Sequence, residues 1–265
     1  MTGKTPGKAT LVALMRRLRR GVAGPLLWCG AVLSLMACDT GGAGSVDAKL
    51  VFPDPNAAAL AEAAAAGDSA RIRELVQTGA DPNARGDKGV NLLQWALLNR
   101  SKRGLAGLLA AGADAGAPES SGATVMHYAA MANDPDYLEV LLRHRADPNT
   151  PNGVTGDTPL MSALIGSREV QFRALLDAGA KPDLADRFGN TSLHVAAKIN
   201  AFQRVLELLQ AGADPAARNR QGHTFQGYLY ATPERVLSED GRRGREAIAA
   251  WLRDHGVASE DTASR

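Results

Sequence analysis

The feature that most constrains this chain is a phrase that returns five times at a fixed interval. It reads GVNLLQWA from Gly89, GATVMHYA from Gly122, GDTPLMSA from Gly156, GNTSLHVA from Gly189 and GHTFQGYL from Gly222. Successive glycines of this phrase are evenly spaced, with one extra position between Gly122 and Gly156. A second phrase keeps the same beat: GADPN at Gly79, GADAG at Gly112, RADPN at Arg145, GAKPD at Gly179 and GADPA at Gly212. Two phase-locked signatures with a period in the thirties specify a stacked repeat protein, in which each unit buries its apolar face only against its neighbours. Such an array presents a long surface rather than a single deep pocket.

The phrase GxTPLHxAA, followed by an apolar helix and GADPN, resembles the ankyrin repeat. GNTSLHVAA (Gly189 to Ala197) and GDTPLMSAL (Gly156 to Leu164) are its fullest copies, and the resemblance covers about residues 54 to 256. It implies an all-α solenoid of helix-turn-helix units joined by β-turn fingers. Local chemistry agrees. Thr158 and Thr191 stand where a helix starts, and threonine is a good N-cap. Pro159 takes the first helical position, where its missing N–H is not needed. The glycine of each GAD phrase suits a left-handed residue that ends the second helix. Arg145 replaces that glycine once, which predicts local strain.

The spacing gives six units, near residues 54–86, 87–119, 120–153, 154–186, 187–219 and 220–256. The first opens with NAAALAEAAAAGD, strongly helical by propensity, and lacks the TPLH-like phrase. The step from Gly222 to Gly256 is longer than the matching step from Gly189 to Gly212. Unit six therefore carries an insertion, placed within 231–244, with Thr232-Pro233-Glu234 as a helix start inside it. The closing helix is expected over Arg245 to His255, and 257–265 is read as a tail.

Residues 1–37 read as a removable signal rather than part of the fold. Arg16, Arg17, Arg19 and Arg20 form a basic start, and the run from Gly21 to Ala37 carries no charge. Leu35-Met36-Ala37-Cys38 resembles the bacterial lipoprotein cleavage box, which implies lipidation of Cys38, and two or three acyl chains anchor stably. The competing reading is an uncleaved span, and the run from Gly21 to Ala37 stands at the short limit for one. Asp39 resembles the signal that retains enterobacterial lipoproteins in the inner membrane. Residues 38–53 would then be a flexible tether reaching on the order of 20 Å. The expected location is the periplasmic face of a bacterial membrane.

Charge and cysteine usage follow from that reading. The full chain is +2; removing residues 1–37 removes six basic residues and no acids, leaving 24 basic against 28 acidic, or −4. A mildly acidic domain argues against a nucleic-acid partner. Both cysteines, Cys29 and Cys38, precede the repeats, so no disulfide is available to them.

No catalytic constellation of useful specificity occurs, so no enzyme, cofactor, metal or small-molecule substrate is expected. His127 and His194 occupy the TPLH slot, where the resemblance implies hydrogen bonds to neighbouring loop backbone. The aspartates of the GAD phrases read as turn formers. Family phase assigns a partner-facing row after each first helix, holding Leu98, Met131, Ile165, Lys198 and Ile199. That row is an apolar stripe where a merely solvated face would be polar, and exposed apolar patches mark interaction sites. Its competing reading is packing against neighbouring repeats. Among the finger positions Lys88, Arg187 and Phe188 are candidates; Arg187-Phe188 is the most anchor-like pair, and Phe188 either meets a partner or tucks under its own finger. The function expected is a membrane-anchored scaffold that binds a protein partner through this face. The alternative is an immunity or inhibitor protein that blocks a toxic secreted effector such as a lipase.

Overall fold

A computed structural model describes residues 47–260. The expectations for the signal, for Cys38 and its lipid, and for residues 39–46 lie outside the described residues. So does the end of the tail.

Six helix pairs follow one another along the described chain. They are α1 Pro55–Ala66 with α2 Ser69–Gln77, α3 Leu92–Leu98 with α4 Lys102–Ala110, and α5 Val125–Met131 with α6 Asp136–Arg143. Then come α7 Pro159–Ile165 with α8 Glu169–Asp177, α9 Ser192–Lys198 with α10 Phe202–Gln210, and α11 Phe225–Leu229 with α12 Glu239–Asp254. First helices pack on first helices from α1 through α11, and among the second helices α2 packs on α4, α4 on α6 and α10 on α12. The fold is therefore all-helical and repetitive. Among the described residues the β pairing is a single isolated bridge, Arg85 to Asn91.

Local caps set the helix starts. Thr158 Oγ1 accepts from Met161 N at 3.3 Å, with Pro159 at the first helical position. Asn91 forms a full capping box with Gln94, the two exchanging backbone-to-side-chain bonds at 2.9 and 3.1 Å. Apolar side chains on the inner faces are fully buried, among them Leu105, Leu108, Leu141, Leu175 and Leu208. Truncating any one of these to alanine costs about 2–5 kcal/mol. Small residues let the layers close: a Cβ on Gly104 would lie 1.8 Å from the Ala64 carbonyl oxygen.

The GAD turns work as expected. Asp81, Asp114, Asp147 and Asp214 each accept the backbone N–H two residues on, at 2.8–2.9 Å. Asn83 and Asn149 then reach across, accepting from Asp114 N at 2.7 Å and Lys181 N at 2.8 Å in the next unit. Arg145 takes the left-handed conformation, φ 60°, that Gly112 and Gly179 hold in the same slot.

Three expectations are corrected. The tether does not extend to residue 53. Ala48–Leu50 form a 3-10 turn, Ala48 and Phe52 are buried, and Phe52 meets Trp95 edge-on at 5.6 Å. Val51 O accepts from Asp87 N at 2.7 Å, so this segment serves as the finger of unit one, which starts before residue 54. The closing helix does not start at Arg245, and its first turns lie inside the insertion placed within 231–244. Thr232-Pro233-Glu234 gives only the 3-10 turn Glu234–Val236, and the closing helix starts at Glu239, capped by Ser238 Oγ accepting from Gly241 N at 3.1 Å. Gly244 lets α12 close on Phe202, since a Cβ there would sit 2.7 Å from Phe202 Cβ. Arg245 pins the turn, donating from Nη2 to Thr232 O at 2.6 Å with its guanidinium over Phe202 and Tyr230. Finally, the tail is docked through Glu260. Gln226 Nε2 donates to Ala258 O at 3.0 Å and Thr224 Oγ1 to Glu260 Oε2 at 2.8 Å, so residues 258–260 take the place that the next finger holds in the other units.

Candidate functional site: finger tips and first-helix ends

The fingers are held by their own side chains. Asp186 Oδ1 accepts from Phe188 N and Asn190 N, each at 2.8 Å, and Oδ2 accepts from Asn190 Nδ2 at 2.9 Å. Asn219 Oδ1 takes the same role from Gln221 N at 3.0 Å and His223 N at 3.1 Å. Asn152 does so in the longer finger, accepting from Val154 N and Thr155 N. Successive fingers are also bonded to one another. Gly153 N donates to Gly122 O at 2.8 Å, Arg187 N to Thr155 O at 2.9 Å, and Arg220 N to Phe188 O at 2.9 Å. Preorganised loops of this kind lose little freedom on binding.

The histidine slot joins helices to fingers. His127 Nδ1 accepts from Thr124 N at 3.2 Å, so the proton is on Nε2, which donates to Asp157 O of the next unit at 3.0 Å. His194 repeats the arrangement with Thr191 N at 3.1 Å and His223 O at 3.0 Å. Gln94 fills the slot in unit two and donates to Ala123 O at 3.4 Å. Burial holds both imidazoles below the ordinary histidine pKa, against the opposing pull of their carbonyl acceptors. Both are structural ties. Among the described residues no group of three or more His, Cys, Asp or Glu is placed to hold a metal.

The candidate residues fall as follows. Leu98, Ile165 and Ile199 are 40, 56 and 41 % exposed, and Lys198 is exposed beside Ile199. Met131 departs from the row: it is half-buried and its neighbour Ala132 is buried. The cause lies in unit four, where Arg168 Nε donates to Met131 O at 2.9 Å and Gln171 Nε2 to Ala132 O at 2.7 Å, covering that helix end. Phe188 is 70 % exposed rather than tucked under its finger. Arg187 is exposed, with Nη2 donating to Gly153 O at 2.6 Å. Lys88 is exposed at its finger tip with φ 56°.

Sequence reasoning missed Tyr228. Its ring lies under Lys198 Nζ at 5.0 Å, and its hydroxyl accepts from Asn219 Nδ2 at 2.9 Å and donates to Gln221 Oε1 at 3.3 Å. Helix end and finger thereby form one continuous face. Tyr128 holds the same slot in unit three, with its hydroxyl on Glu119 Oε1 at 3.1 Å. The repeat of tyrosine at that slot was the available signal. Between units two and three, Lys102 binds both Asp134 and Asp136, which raise its pKa above the ordinary lysine value, Asp134 most.

Comparison with known proteins agrees with this architecture. The family model for ankyrin repeats (three copies) matches residues 60–152 and 126–219. Protein PhlB of Serratia liquefaciens is 43 % identical over 187 residues, covering 70 % of this chain and 81 % of PhlB. The mitochondrial disaggregase of Bos taurus is 31 % identical over 229 residues, but the chain spans only 28 % of that protein. Among solved structures, the ankyrin repeat domain of Bcl-3, a member of the IkappaB protein family, superposes with a TM-score of 0.62 at 25 % identity, covering 72 % of this chain and 81 % of that one. A chain from the complex of a predatory endopeptidase of Bdellovibrio bacteriovorus with its immunity protein superposes with a TM-score of 0.56 at 24 % identity, covering 71 % and 97 %. With its matched repeats and six stacked helix pairs, the chain belongs to the ankyrin-repeat family of protein-interaction scaffolds.

Proposed function

We propose that this chain is a protein-binding scaffold held at the periplasmic face of a bacterial membrane by a lipid on Cys38. It acts through its first-helix ends and finger tips. The observation that carries the binding surface is the exposure of large apolar side chains at the first-helix ends, Leu98 and Ile165 at one phase of the repeat and Ile199 one position on. Isolated exposed apolar residues need no explanation, but a phased row does. Anchoring would raise the local concentration of the partner; the cleavage-box resemblance before Cys38 supports it. Among the described residues no helix is long and apolar enough to cross a membrane.

The test has two arms. Cross-linked capture from the native bacterium is compared between the wild type and a Leu98→Glu, Met131→Glu, Ile165→Glu variant whose helicity is unchanged. Loss of the captured protein supports the surface, and equal capture by both overturns it. Replacement of Cys38 by serine should release the protein from the membrane fraction; retention there refutes the lipid anchor.

A second reading is inhibition of a secreted effector. It is favoured by the immunity protein in the Bdellovibrio complex, whose structure contains a chain of the same fold. If it holds, the purified chain suppresses the activity of an enzyme encoded beside it. Full activity of that enzyme in excess chain removes this reading.

A further inference from the structure

The exposed apolar groups of the binding face are not spread evenly along the array. In units four and five the face exposes Val154, Ile165, Phe188 and Ile199, whereas units two and three offer Leu98 and a half-covered Met131. Phe188 stands out on a finger whose backbone is bonded on both sides, through Arg187 N to Thr155 O and Arg220 N to Phe188 O. Its exposure is therefore built in, not a product of a loose loop.

Arg173, Arg204 and Lys102 on second helices are each engaged by carboxylates. Among the described residues, Arg187, Lys198 and Arg220 form no ion pair, and all three are exposed around the apolar group. The nearby acids are committed to their own turns: Asp186 accepts three bonds from its finger, and Asp157 Oδ2 accepts from Thr155 Oγ1 at 2.7 Å. The region is thus an apolar centre rimmed by three exposed cations, with Asp157 and Asp186 bonded into their own fingers, on a repeat domain that is acidic as a whole. Complementary potentials steer and orient docking partners.

We propose that the partner's footprint is centred on units four to six, and that the partner presents an apolar protrusion ringed by acidic side chains. Phe188 and Val154 meet the protrusion, while Arg187, Lys198 and Arg220 meet the ring. This rests on the protein-binding reading and narrows it to one half of the array and one partner chemistry.

The experiment places the photoreactive probe p-benzoylphenylalanine in the full chain, in its own bacterium. Val154, Phe188 and Gln221 are replaced in turn, and Lys88 and Ser121 serve as the comparison set. Adducts are digested and the cross-linked peptide is sequenced by mass spectrometry. Expected are adducts at Val154 and Phe188 to a segment with aspartate or glutamate flanking apolar residues. Arg187→Glu with Arg220→Glu should lower adduct yield at Val154 about tenfold or more in a variant with unchanged thermal unfolding. Adducts confined to Lys88 and Ser121 overturn the placement while leaving protein binding intact. A basic or uncharged partner segment, or a nucleic-acid adduct, overturns the chemistry. Adducts at none of the five positions overturn this footprint, whereas failure of the protein-binding reading itself is read from the absence of any captured protein with the wild type.

Discussion

Lys198 Nζ stands 5.0 Å above the Tyr228 ring, whose hydroxyl donates to Gln221 Oε1 at 3.3 Å. One tyrosine thus connects the end of a first helix with the tip of the following finger. Tyr228→Phe keeps the ring and removes the acceptor of Asn219 Nδ2. Stability should fall by about 1 kcal/mol, read from urea unfolding, with the proteolysis rate of the finger at 219–223 increased. An unchanged unfolding midpoint and unchanged cleavage would show that the hydroxyl ties nothing together.

The histidine ties make stability depend on pH. His127 and His194 are neutral in the fold, with pKa values held below the ordinary 6.5 by burial. The unfolded chain then binds more protons at mildly acidic pH, so stability is full above about pH 6.5 and is lost as pH falls through the folded values. His127→Gln with His194→Gln copies the natural Gln94 tie and should flatten the dependence between about pH 7.5 and 5.5. An equally steep dependence in the variant would assign it to other groups.

Glycine at α4 is required by contact. Gly104→Ala would force a Cβ to within 1.8 Å of the Ala64 carbonyl oxygen, and backbone cannot swing aside as a flexible side chain does. Overpacking of this kind costs about 1–3 kcal/mol or more, so the melting temperature should drop by several degrees. A variant as stable as wild type would mean that α1 and α4 are not packed as described.

Non-glycine residues in left-handed turns offer the reverse change. Arg145 and Ser167 hold φ of 60° and 53°. A left-handed L-residue costs roughly 1–2 kcal/mol, partly offset by the greater freedom of glycine in the unfolded chain. Arg145→Gly and Ser167→Gly should each stabilise by about 0.5–1 kcal/mol, measured by chemical denaturation. A loss of stability would show that the side chains contribute contacts exceeding the strain.

The sequence carried the repeat because every unit spells its own caps and turns. Arg145 was legible as strained, since it breaks a glycine slot. Arg100, Ser167 and Asn200 were not, although each has positive φ; their turn lacks the glycine that unit one keeps at Gly67, so no contrast marked the slot. Phe52 was hidden because its burial depends on Trp95, far along the chain in the next unit. The start of α12 was hidden for a similar reason, since Gly241 and Gly244 read as breakers until Phe202 is seen against them. In the binding face, phase placed Ile165 and Met131 in one row and left Phe188 open between a partner and its own finger; it could not show that Arg168 and Gln171 of the next unit cover the helix end at Met131.

The central claim is that a protein covers the fingers and helix ends of units four to six. Hydroxyl-radical footprinting of the chain in its native envelope, compared with the purified chain, tests it most directly. The account predicts that Phe188 oxidises freely when purified and is protected in the envelope, while Trp251 on the closing helix reacts alike in both. Equal oxidation of Phe188 in the two samples would contradict it.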